Sequence, residues 1–429
     1  MSKFRRIMSI FLAVSVILGT LTFSSGAISF ENWIEGWEEI RQSKGYITLT
    51  PGEDETQMNF SWQSALGSLE EKFFIGTSAD MYGASEMKVR TKFNLFGFEW
   101  THEVTVNGLE KGTTYYYQYT ENKVMSEVYS FTTDSDGETT VLFVTDSQIG
   151  RSKGEQEEIY RNDTFGWTST LDSAFSKSDN IDFILSSGDQ VEDSYSEEQY
   201  TYFESPVILR STPVAAAIGN HDFYTPNYSH HFNNPNSNTF NLFRWPAGQG
   251  YYFSYNDVLF IVVDSNNFIP TANRRIIKNA CKAYPDAKWR VLMMHHSPFD
   301  AEGADDIGNK FARGTVVPFI DEFDIDVCLS GHDHYYSRSY MIKNGEITGS
   351  VAENGVYSNP EGTLYITQNS SSGSNYRGIG DSISEYCEFA LQENRATYSI
   401  VNVNDNRLTV TTYHADDNKA FDTVTIEKD

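Results

Sequence analysis

The chain has 429 residues and a formal net charge of -27, which is too long for one hydrophobic core and too acidic to draw in nucleic acid or anionic lipid. Its 39% hydrophobic content suffices for two folded domains. Cys281, Cys328 and Cys387 are too few and too scattered for a disulfide framework or a thiolate zinc site, and they read as buried and inert, although export would permit one disulfide.

Lys3, Arg5 and Arg6 precede the apolar run Ile7 to Leu18 and the small residues Ser25-Gly26-Ala27, a pattern that predicts a cleavable secretory signal over residues 1–27. The product is then extracellular. The apolar run is shorter than the ~20 residues that span a bilayer, so no stable membrane span is expected after cleavage. Removing three basic and no acidic side chains leaves -27 - 3 = -30.

Residues 45–133 read as short alternating strands: Tyr46 to Thr50, Gln57 to Trp62, Lys72 to Ile75, His102 to Val106, Thr114 to Tyr119 and Val128 to Thr132. Their spacing predicts a β-sandwich. The polar stretch Asp134 to Glu138 is the expected linker. Over residues 139–383 apolar β-rich runs alternate with helix-length segments at 163–177, 196–209, 271–284 and 315–323, which predicts an α/β domain with its sheets covered on both sides. Residues 384–429, with runs at Ala396 to Val403 and Arg407 to Tyr413, read as an antiparallel hairpin that closes this domain.

Five of the apolar runs end in polar clusters: Thr145-Asp146-Ser147-Gln148, Gly188-Asp189-Gln190-Val191-Glu192, Gly219-Asn220-His221-Asp222, His295-His296-Ser297-Pro298 and Gly331-His332-Asp333-His334. In open α/β folds the carboxyl ends of the strands form the ligand crevice, so these clusters are expected to converge. Carboxylate, amide and imidazole together suit iron, manganese or zinc better than calcium.

The order of these motifs resembles the calcineurin-like metallophosphoesterase superfamily. The segment Val106-Asn-Gly-Leu-Glu-Lys-Gly-Thr-Thr-Tyr-Tyr-Tyr, with Trp62 upstream, resembles the fibronectin type III-like module in front of purple acid phosphatases. The resemblance implies an α/β/β/α catalytic domain and two metal ions. Asp146, Asp189 and His334 would bind the first, and Asp189, Asn220, His295 and His332 the second, with Asp189 as the bridge. A bridging hydroxide would attack a small-molecule phosphate ester, His221 would protonate the leaving group, and Asp222 would orient its ring. A monoesterase is the leading expectation. Alternatives are a phosphodiesterase or nucleotidase using the same metals, and a surface binding protein whose site has decayed.

Two positions depart from the pattern. Gln148 stands where most of the superfamily has histidine and purple enzymes have glycine, and it either binds the first metal or hydrogen-bonds behind it. Glu192 stands where purple enzymes have the tyrosine responsible for their colour, either as a ligand or as a solvated acid. His295 is preferred over His296 as ligand because it follows its strand directly. His296 and His231 are expected near substrate, with His230 a weaker candidate, Arg338 as a phosphate or carboxylate partner or a surface ion pair, and Asp264 as a structural residue.

Overall fold

The computed structural model describes residues 28–429 apart from 44, 135–136, 179, 238–245, 304–305 and 350–354. The secretory segment expected over residues 1–27 lies outside the described residues. Among those described, no helix is long and apolar enough to cross a membrane.

The first domain is all-β, with antiparallel sheets. One orders Thr48–Pro51, Gln57–Ser64, Glu99–Asn107 and Arg90–Asn94. The other centres on Thr114–Glu121, which pairs with Phe73–Gly76 and Tyr129–Thr132. Alternating side chains turn Phe60, Trp62, Phe73 and Tyr117 into the space between them, where all four are buried. Strand Arg90–Asn94 was not legible in the sequence, because it is largely solvated and lacks an alternating apolar face.

The second domain has two mixed sheets packed face to face. In the first, Thr139–Val144 pairs in parallel with Phe183–Ser186 and antiparallel with Thr397–Val403. Val214–Ala216 extends the parallel side, while Arg407–His414 and Ala420–Glu427 extend the other. In the second sheet, Val258–Val262, Trp289–Met293, Val327–Ser330 and Thr363–Thr367 run in parallel. Val141 and Phe143 meet Phe260 and Val291 in the core between the sheets, and Leu142 and Val144 turn outward beneath Trp167 and Leu171 of the helix Gln156–Lys177. On the far side, Leu259, Ile261 and Leu292 are covered by Ile276 and Ile277 of the helix Pro270–Ala283. The layers are therefore helix, sheet, sheet, helix, and strands apolar on both faces are the physical cause.

Two expected helices differ in detail. A proline divides the first, since the segment expected at 196–209 becomes Glu197–Glu204 and a 3-10 turn at Val207–Arg210 behind Pro206; the one expected at 315–323 forms as Val317–Glu322 with Pro318 in its first turn, directly after a helix, Ile307–Thr315, that was not expected. The closing hairpin gains a third strand, Ala420–Glu427.

Polar contacts hold the two domains together. Ser61 Oγ and Gln63 Nε2 donate to the His230 carbonyl at 2.8 and 3.0 Å, and the Tyr117 hydroxyl donates to the Arg210 carbonyl at 2.8 Å.

Candidate metal centre

Asp146, Asp189, Asn220, His295 and His332 each lie just past the carboxyl end of a strand, on the same edge of the two sheets. The backbone there is bent sharply. Asp146, Gln148, Asp189, His332 and His334 have φ of 47°, 39°, 50°, 73° and 53°, a region that non-glycine residues seldom occupy and that clusters at functional sites. Glycines let the bends approach one another: a Cβ on Gly219 would overlap the Asp189 carboxylate and backbone nitrogen, and one on Gly331 would overlap Thr145 and Asp146.

The side chains meet at close range. One ligand atom from each of Asp146, Asp189 and His295 lies within 4.8 Å of the others, and all three residues are buried. His295 Nε2 is 3.0 Å from Asn220 Oδ1, 3.4 Å from Asp189 Oδ2 and 3.2 Å from His332 Nδ1. His334 Nε2 is 3.3 Å from Asp146 Oδ1. The far nitrogens set ring orientation. His295 Nδ1 faces the Ser187 carbonyl at 3.1 Å, His334 Nδ1 the Asn375 carbonyl at 3.1 Å and His221 Nδ1 the Glu192 carbonyl at 2.8 Å. A carbonyl can only accept, so each Nδ1 is the donor and Nε2 is left to face the cluster.

The families of both segments can be assigned. The calcineurin-like phosphoesterase family matches residues 139–336, and the purple acid phosphatase N-terminal domain matches residues 45–133. The chain carries a calcineurin-like phosphoesterase domain behind a purple acid phosphatase N-terminal domain. Its fold is similar to that of purple acid phosphatase PPD1 from yellow lupin (Lupinus luteus) seeds, at TM-score 0.72 and 16% identity, over 90% of this chain and 74% of that one. It is also similar to a structure of PhoD, at TM-score 0.61 and 13% identity over 90% of each chain. At such identities the likeness is one of fold. No curated protein matches the chain.

The phosphoesterase cluster has the donor chemistry for metal. Asp146 Oδ1 and Gln148 Oε1 are buried without a hydrogen bond. With neutral imidazoles, His295 Nε2 directs a lone pair at the oxygens of Asn220 and Asp189, a conflict that a cation among them removes. Burial opposes charge on His295, but Asp189 outweighs it and pushes the ring up to about 9. Burial likewise opposes charge on Asp189, which His295 and His221 nevertheless hold well below the usual carboxylate range. This attraction is what a metal ion would replace.

Around the phosphoesterase centre the remaining candidates divide. His221 lies at its edge, with Nε2 4.0 Å from Asp189 Oδ2 and its backbone N–H donating to Asp189 Oδ1 at 2.8 Å. Asp222 does not hold the His221 ring as expected; the Glu192 carbonyl does. The buried Asp222 carboxylate instead accepts from the Gly219 N–H at 2.9 Å and the Gln190 N–H at 3.4 Å, bracing the turn that bears Asn220 and His221. Glu192 is engaged on both sides, accepting from Gln148 Nε2 at 2.9 Å and Arg151 at 2.9 Å. His296 is buried against the cluster, its ring 4.6 Å from that of His332 and its Nδ1 2.8 Å from Ser265 Oγ.

His231 is a correction. It is clamped between Glu204 Oε1 at 2.7 Å and Glu197 Oε2 at 2.8 Å, 1% exposed, and packs on Tyr200 at the domain boundary rather than toward substrate. The sequence did not mark the helix Asn227–His231, which turns this ring toward the β-sandwich, because five residues with no apolar period carry no helical signal. His230 also faces the β-sandwich, its Nδ1 2.7 Å from Thr101 Oγ1. Arg338 is no surface pair: it is buried between Asp422 and Glu388. Asp264 holds Asn266, whose amide donates to the Ile218 and Gly219 carbonyls.

Sequence reasoning missed the serines behind Asp146. Ser370, Ser371 and Ser372 donate to the carbonyls of Asp146, Thr145 and Ser147 at 2.8, 2.8 and 2.6 Å. Their only signal was a polar run after strand Thr363–Thr367, which also describes an ordinary loop. The three cysteines are free.

Proposed function

We propose that the protein is a secreted, metal-dependent phosphatase that hydrolyses small-molecule phosphate monoesters. The observation that carries the reading is the buried Asp146, Asp189 and His295 cluster at the strand edge of a calcineurin-like phosphoesterase domain. Asp146, Asp189 and His334, with Gln148 beside them, would hold one cation, and Asp189, Asn220, His295 and His332 a second, drawn from iron, manganese or zinc. Such a pair supplies Lewis acidity toward phosphate oxygens and lowers the pKa of water.

The chain's own residues provide the rest. The His221 N–H fixes Asp189, and the Glu192 carbonyl fixes the His221 ring with Nε2 free to carry a proton to a leaving alkoxide. Asp222 positions both by holding the Gly219 turn. His296, against His332, is placed to contact substrate or to steady that ring. The purple-type N-terminal module supports monoesters as substrates, and the basic-then-apolar N-terminus supports export.

Purified metal-loaded protein should hydrolyse 4-nitrophenyl phosphate faster than its bis ester, with metal measured by elemental analysis. The opposite order assigns a diesterase. No stoichiometric metal and no turnover of either ester refutes the enzyme. Exported protein should begin after Ala27.

A further inference from the structure

Two loops leave the metal centre beside His221, and each presents a tyrosine to solvent. Tyr195 lies three residues beyond Glu192, whose carbonyl holds the His221 ring, and Tyr224 lies three beyond His221 itself. Three residues span at most about 10 Å, so the backbone at each tyrosine lies within that reach of Glu192 or of His221. The loops are stitched together next to them. Thr225 Oγ1 and Asn227 Nδ2 donate to the Ser194 carbonyl at 2.7 and 2.9 Å.

A third ring comes from the other domain. Phe96, at the turn between Arg90–Asn94 and Glu99–Asn107, meets Tyr195 edge to face with centroids 5.9 Å apart. This turn is anchored: Asn94 Nδ2 donates to Glu197 Oε1 at 2.8 Å, and the Phe96 N–H donates to Asn94 Oδ1 at 3.0 Å. Phe96, Tyr195 and Tyr224 are nevertheless 48%, 59% and 60% exposed. Aromatic rings left about half exposed on braced loops close in the chain to a cluster of ligating side chains are placed for ligand contact, since the ring contacts they make, Tyr195 with Phe96 and Tyr224 with Phe223, leave much of each in water.

We infer that these three rings receive the organic part of the ester, so that the preferred substrates are phosphates of aromatic or other planar apolar alcohols. The inference rests on the phosphatase reading of the centre. The carboxylate of Asp193, which accepts from the Tyr195 N–H at 3.0 Å, places negative charge beside that ring and disfavours substrates with further phosphates. The β-sandwich thereby acquires a part in specificity, since it supplies Phe96.

The test compares binding of phenylphosphonate and methylphosphonate to the metal-loaded protein by calorimetry, alongside turnover of phenyl and glycerol phosphates. Phenylphosphonate should bind more tightly, by about 2- to 10-fold for each ring engaged. In Tyr195→Ala, Tyr224→Ala and Phe96→Ala the ratio of the two dissociation constants should fall toward one. A ratio near one in the natural protein, or a ratio unchanged in all three variants, overturns the inference while measured turnover leaves the phosphatase reading standing. If neither phosphonate binds and neither ester is hydrolysed, the phosphatase reading falls and the inference with it.

Discussion

His231→Gln distinguishes a clamp from a substrate contact. Burial disfavours charge on this ring, but Glu204 and Glu197 more than offset it and push its pKa up to about 10 from an ordinary 6.5. At 1.36 kcal/mol per pH unit that difference corresponds to roughly 5 kcal/mol of stability. Breaking a buried pair by removing one partner costs a similar 3–5 kcal/mol or so, because it strands the carboxylates. Thr48 Oγ1 donates to Glu204 Oε1 at 2.7 Å, so the loss should also loosen the domain boundary.

For a domain of this size each kcal/mol moves Tm by roughly 2–4 °C, so calorimetry should show the variant melting roughly 6–20 °C lower near pH 6. The folded pKa is raised, so the contribution is complete below about 6.5, declines as pH rises, and is gone above about 10. The gap between natural protein and variant should close over the same window. KM should not change. An unaltered Tm with a raised KM would refute the clamp and return His231 to the substrate.

Three further outcomes address the centre. Asp189→Ala should lose most bound metal by elemental analysis, together with nearly all turnover, because it removes the proposed bridge between sites. His221→Ala should retain metal, since the contact that fixes Asp189 is the backbone N–H, yet slow hydrolysis by about 10²–10⁴-fold, most for poor leaving groups; loss of metal would show His221 to be a ligand. Gly219→Ala should lose metal and turnover with the circular-dichroism spectrum preserved, because its Cβ displaces Asp189; normal metal content would show that the turn can relax.

Much of the fold was legible because local pattern and tertiary role coincide. Val141 to Val144 are apolar at every position, which only a sheet covered on both faces can use, and the polar motifs follow such strands directly. Arg90–Asn94 and the serines at 370–372 gave no such signal, since a solvated strand and a loop that bonds backbone carbonyls carry no period.

The sequence by itself determined the two-domain order, the layered sheets and the set of residues able to meet at one edge. It also carried the chemistry of that set, because carboxylate, amide and imidazole side chains bring their donor atoms wherever they are placed. Only the tertiary structure decided which groups face one another. Glu192 rather than Asp222 holds the His221 ring, and His231 turns from the centre to the domain boundary. Those outcomes depend on backbone bends at positive φ and on contacts between separate elements, and neither leaves a mark on the spacing of a motif.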